Sequence, residues 1–103
     1  MHMAARLRAA CKKIVWFHVP NGEKRDPVTA GVLRLMGVRP GVADFILLAD
    51  GVAIAAEVKD GDRGRQDVDQ KGFQAAWEAN GGVYVVIRTP ADVDGLIFEF
   101  GLV

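Results

Sequence analysis

The hydrophobic positions of the chain follow two periods that alternate from one segment to the next. Runs of β-branched, aromatic and aliphatic residues predict strands at residues 14–19, 43–49, 52–59 and 83–88. Good helix formers, and apolar residues at helical spacing, predict helices at residues 4–13, 27–36, 67–80 and from Pro90 onward. The order αβαββαβα indicates an α/β fold: one compact domain over residues 1–103, with a mixed central sheet flanked by helices.

The turn between the second and third predicted strands determines which side chains meet. Asp50-Gly51 is a strong two-residue hairpin signal, because type I′ turns require a positive φ at both central positions. Side chains alternate along a strand, so Glu57 and Lys59 share one face of the third strand. Antiparallel pairing about this turn places Asp44 opposite Glu57.

Two carboxylates that converge beside a lysine form a candidate site for a hard divalent cation. A carboxylate within an apolar run is costly unless it is paired or binds a cation. We expect Mg²⁺, held by Asp44, Glu57 and the Val58 carbonyl, with Lys59 orienting or deprotonating an attacking water. From spacing alone, an alternative stays open, in which Glu57 and Lys59 are surface residues at a strand end and Asp44 only turns the chain.

The residues around this constellation resemble a known family. Asp44 followed by Glu57-Val58-Lys59 resembles the core motif of the PD-(D/E)XK nuclease superfamily, whose fold is that of restriction endonucleases. Further residues, spread over 16–88, resemble the VRR-NUC family: Phe17-His18-Val19-Pro20-Asn21-Gly22, Arg25, Ala30, Leu33, Met36-Gly37-Val38, Pro40-Gly41 and Gln70.

The resemblance implies a Mg²⁺- or Mn²⁺-dependent phosphodiesterase that acts on structured DNA of the junction or flap type. It implies Asp44 and Glu57 as metal ligands, Lys59 as the catalytic lysine, and Gln70 as a helix residue facing the site. Members of the family are often phage-encoded or associated with DNA repair. The short stand-alone forms are dimers, so a homodimer is expected.

The chain departs from the family pattern at three places. Ala43 replaces the proline of the motif, which shapes the chain and binds nothing. Asp67-Val68-Asp69 replaces the usual Ser-Pro-Glu before Gln70. Residues 1–13 contain no acid, although the first helix of the family carries a metal-site glutamate. Either the start is incomplete or the site works with one ligand fewer.

Charge gives a mixed indication of nucleic-acid binding. The formal net charge is zero, but residues 1–39 hold eight lysines and arginines against two acids, while the remainder is acidic. A basic first half next to carboxylates is compatible with phosphate contacts, and so is ordinary solvated charge. The candidate DNA-contacting residues are His18, Asn21, Lys24, Arg25, Arg39, Arg63 and Arg65.

Composition limits the remaining possibilities. No apolar run approaches the ~20 residues of a membrane span, and the basic start lacks the apolar segment of a secretory signal, so we expect a cytoplasmic protein without membrane contact or organic cofactor. The apolar C-terminal side chains suggest a dimer interface: Leu96, Ile97, Phe98, Phe100, Leu102 and Val103. Two other functions stay open, a non-catalytic nucleic-acid-binding module and a dimeric interaction protein.

Overall fold

The elements of the chain follow the predicted order. The computed structural model describes residues 3–10, 14–20, 26–59 and 66–99. The elements are α1 (Met3–Ala10), β1 (Ile14–His18), α2 (Pro27–Leu35), β2 (Phe45–Ala49), β3 (Val52–Val58), α3 (Val68–Ala79), β4 (Val83–Ile87) and α4 (Pro90–Glu99). The predicted αβαββαβα order and α/β class are confirmed. The last part of the first predicted helix, residues 11–13, lies outside the described residues.

The described strands form one mixed sheet. They lie in the order β1-β2-β3-β4; β1, β2 and β3 pair antiparallel, and β3 and β4 pair parallel. The predicted hairpin is present, since Asp50 has a φ of 50° and Gly51 a φ of 78°, as a type I′ turn requires. α3 forms the crossover between the parallel strands, which brings its first turn to the carboxyl end of β3.

Hydrophobic layers cover both faces of the sheet. On one face, α1 and α4 pack over a core whose fully buried members are Leu7, Leu47, Ile54, Ile87 and Val93. On the other face, α3 packs Phe73 against Ala43 and Ala55. This division follows the alternation predicted for β3, because Ile54 and Ala55 point to opposite faces. Within the described residues, no helix is long and apolar enough to cross a membrane.

The C-terminal apolar residues have a different role from the predicted one. Leu96 and Ile97 are only 4% and 8% exposed and belong to the core between α4 and the sheet. Their assignment to a dimer interface is therefore wrong, because the apolar face of α4 that contains them packs inward against the sheet. Phe98 is exposed on α4. Phe100, Leu102 and Val103 lie outside the described residues.

Other apolar residues are left uncovered. Val15 and Phe17 of β1 are more than half exposed, on the sheet face that α3 covers near β3 and β4. Leu48, the cross-strand partner of Val15, is 51% exposed. On α2, Val32 and Leu35 are likewise exposed, and this helix buries none of its residues. An apolar surface of this kind is typical of a region that contacts a partner.

Candidate metal and catalytic site

Asp44 is held where three strands meet. Its Oδ2 accepts a hydrogen bond from the Val58 N–H at 2.8 Å. Its backbone carbonyl accepts the Val19 N–H at 2.7 Å and the Nδ1–H of His18 at 2.8 Å. Asp44 precedes the first residue of β2, so its carboxylate takes the place of a strand partner for Val58. This side chain is therefore fixed before any ligand binds.

Gly41 allows the segment before Asp44 to pass close to the first turn of α3. Gly41 has a φ of 79°, and a Cβ added to it would overlap the backbone of Asp69 and Gln70. Only glycine combines this left-handed conformation with so close an approach. Gly41, which belongs to the family-like Pro40-Gly41 pair, thus positions Asp44 beside the N-terminus of α3.

Glu57 lies opposite Asp44, as the hairpin predicts. Phe45 pairs with Ala56, so the next pair outward joins Asp44 and Glu57. Glu57 is 3% exposed, and its Oε2 accepts a hydrogen bond from Gln70 Nε2 at 3.2 Å. Burial raises the pKa of Glu57 to about 8, with a further contribution from its hydrogen bond to Asp44 and the negative charge there. A Glu57 carboxyl with this pKa keeps its proton at neutral pH.

Gln70 connects Glu57 to Lys59. Lys59 Nζ donates to Gln70 Oε1 at 2.8 Å, while the amide nitrogen of the same side chain reaches Glu57. Gln70 is fixed by a capping box, in which its N–H donates to Asp67 Oδ1 at 2.8 Å and its Oε1 accepts the Asp67 N–H at 3.1 Å. The departure at residues 67–69 therefore preserves a helix cap, and Gln70 faces the site as predicted.

These residues fit a hard divalent cation. Asp44 and Glu57 bring two carboxyl groups into contact, and a 2+ ion held by both would offset the repulsion between them when they are ionised. The backbone of Val58 lies beside the two carboxyl groups, because its N–H donates to Asp44. Within the described part of the chain, no three His, Cys, Asp or Glu side chains form one group. The two carboxyl groups of Asp44 and Glu57 therefore fit a hard cation such as Mg²⁺.

The structure distributes the predicted DNA-contacting residues unevenly. His18 is exposed beside Asp44, with its ring 5.0 Å from that of Phe45. Arg39 lies on the α3 side, where its guanidinium carbon is 5.7 Å from the ring centre of Phe73. Asn21, Lys24, Arg25, Arg63 and Arg65 lie outside the described residues.

Sequence reasoning missed one cation near the site. Arg8 of α1 lines a cleft together with His18 and Asp44. The pattern that makes Leu7 a core residue also turns the next position away from the core. The surroundings of Arg8 depend on where α1 packs on the sheet, and the sequence does not show this position.

Known proteins share the fold of this chain. No protein-family model and no curated protein matches the sequence. A solved chain described as "VRR_NUC domain" has a TM-score of 0.66 at 19% identity, over 96% of this chain and 89% of its own length. Another, described as "VRR_NUC domain protein", has a TM-score of 0.68 at 23% identity, over 84% of this chain and 68% of its own. The chain therefore has the fold of VRR_NUC domain proteins.

Proposed function

We propose that this protein is a divalent-metal-dependent nuclease of the VRR-NUC type. The observation that carries the proposal is the contact of Asp44 with the buried Glu57, connected through Gln70 to Lys59. A carboxylate pair in contact is unfavourable without a proton or a cation between its members, and structural roles are served better by neutral residues. The fold shared with VRR_NUC domain proteins supports the same conclusion.

Asp44, Glu57 and the Val58 carbonyl would hold the metal, and the chain's own groups supply the remaining chemistry. A bound Mg²⁺ or Mn²⁺ would offset the negative charge of a phosphate oxygen and lower the pKa of a coordinated water. Lys59 orients the attacking water and offsets the negative charge that develops on the phosphodiester. Gln70 keeps Lys59 and Glu57 at a fixed separation, which limits reorganisation during the reaction.

DNA is the proposed substrate, and branched DNA of the junction or flap type is the preferred form. His18 lies beside Asp44 and is placed to contact a phosphate or a metal-bound water. The proposed site of action is the cytoplasm, where the protein would process DNA branches during repair or phage replication. The further basic candidates Lys24, Arg25, Arg63 and Arg65 are proposed as additional phosphate contacts.

Cleavage and binding of three labelled DNAs test this proposal. We expect a four-way junction and a flap to be cut faster than plain duplex when Mg²⁺ or Mn²⁺ is present, and no DNA to be cut in EDTA. Binding in EDTA should weaken steeply as salt rises. DNA binding without cutting would replace the proposal with a non-catalytic module. If the protein neither bound nor cut DNA, the remaining interpretation would be a dimeric interaction protein.

We also propose that the protein is a homodimer that buries apolar residues of β1 and α2. Phe17→Glu should convert a dimer to a monomer in light scattering at micromolar concentration, because a buried charge is costly at an apolar interface. Phe98→Glu, an equal change on α4, is the control and should leave the dimer intact. A monomeric wild type would refute the dimer, and dissociation by Phe98→Glu alone would move the interface to α4.

A further inference from the structure

We propose that Arg8 binds a DNA phosphate in the cleft between α1 and the start of β2, beside Asp44. This inference rests on the proposed nuclease function and extends it by naming a substrate-binding residue on α1. The cleft has a volume of about 530 Å³, and its lining includes Arg8, His18, Asp44 and Val58. Arg8 is the cation of this lining and Asp44 is a proposed metal ligand, while the other lining side chains, apart from His18, are apolar.

Arg8 is held in place and keeps its charge available. Its guanidinium carbon is 5.7 Å from the ring centre of Trp16, a cation-π arrangement that leaves the edge of the guanidinium open for hydrogen bonds. The Trp16 ring in turn packs on Phe45 at 6.1 Å. Arg6 lies two residues earlier, on the opposite side of the same helix, and is ion-paired with Asp94, whereas Arg8 makes no ion pair with a described carboxylate.

His18 complements Arg8 at the same cleft. A carbonyl oxygen only accepts, so the hydrogen bond to Asp44 O fixes Nδ1 of His18 as the donor. Its Nε2 is on the opposite side of the ring from this bond. A phosphate oxygen in the cleft would find Arg8 as a two-pronged donor, and an ordered water bound to that phosphate would donate to Nε2 of His18.

The charges at Asp44 explain why a cation is useful on α1. The described part of α1 brings no acid to the site, and the described residues offer no third carboxylate for a second metal ion. A phosphodiester that approaches Asp44 meets the proposed metal ion, and Arg8 supplies further positive charge. We infer that Arg8 stabilises the bound DNA on the side of Asp44 away from Lys59.

Salt-dependent DNA binding tests the assignment without any cleavage. Binding of a labelled four-way junction would be followed by fluorescence anisotropy in EDTA at several salt concentrations, for wild type, Arg8→Gln, Arg8→Lys and Arg6→Gln. We expect Arg8→Gln to weaken binding by about 10-fold and to lower the salt slope by about one. Arg8→Lys should keep the slope but bind less tightly, since it loses the two-pronged contact. Thermal melting and Mg²⁺ binding should be unchanged by Arg8→Gln.

Arg6→Gln is the matched control, because it removes the same charge from the same helix outside the cleft. Its salt slope should equal that of the wild type. Equal binding by Arg8→Gln and Arg6→Gln would overturn the assignment of Arg8 while leaving the nuclease proposal intact. No DNA binding by the wild type would overturn both. If Arg8→Lys weakened DNA binding as much as Arg8→Gln, and both variants lost thermal stability, Arg8 would have a structural role instead.

Discussion

Replacing Lys59 with methionine is expected to lower the rate of DNA cleavage by at least ~100-fold while leaving Mg²⁺ binding in place. Lys59 donates to Gln70 and is not a proposed metal ligand, so its loss removes transition-state stabilisation and not the cation. Methionine keeps much of the side-chain length without the charge. Single-turnover cleavage rates and calorimetric Mg²⁺ titration measure the two effects separately.

Asp44→Asn is the variant to compare with Lys59→Met. The asparagine carbonyl still accepts the Val58 N–H, so the strand junction should remain folded. The lost carboxylate charge should abolish both Mg²⁺ binding and cleavage. If Asp44→Asn bound Mg²⁺ as tightly as the wild type, the metal site would be misassigned, and full activity in Lys59→Met would remove the lysine from the mechanism.

Glu57→Gln is expected to stabilise the metal-free protein and to abolish metal binding. A glutamine donates to Asp44 and accepts from Gln70, as the protonated glutamic acid does, but carries no buried charge at high pH. At pH 9 we expect the free energy of unfolding to rise by roughly 1–3 kcal/mol over wild type. Thermal melting in EDTA at several pH values, with and without added Mg²⁺, measures this effect.

The pH dependence follows from the pKa of Glu57, which folding raises from its usual 4.5 to about 8. Between these values the unfolded chain has released a proton that the folded protein still holds, so wild-type stability falls as pH rises and levels off above pH 8. Glu57→Gln lacks this decline, and the two proteins should melt alike near pH 4. A constant difference from pH 4 to pH 9 would contradict the raised pKa of Glu57.

The part of the site that sequence predicts correctly depends on local rules. The turn at Asp50-Gly51 sets the register, and the register alone places Asp44 opposite Glu57. The strand period likewise puts Glu57 on the face that α3 covers. Since the N-cap Asp67 fixes the start of α3, the orientation of Gln70, three residues after the cap, also follows from nearby residues.

The features that sequence does not predict depend on packing between distant segments. The helical period marks Leu96 and Ile97 as one apolar face of α4, but it does not show whether the sheet or a second subunit covers that face. The role of Arg8 depends on where α1 crosses the sheet, and α1 contacts α4 from the other end of the chain. No spacing within residues 3–10 contains this information.

Cleavage of a labelled four-way junction by wild type and Asp44→Asn, each with Mg²⁺ and with EDTA, tests the central claim most directly. If the protein is the proposed metal-dependent nuclease, the wild type with Mg²⁺ should cut the junction, and the other three samples should not. Cutting by wild type in EDTA, equal cutting by Asp44→Asn, or no cutting by any sample while the junction remains bound would contradict it.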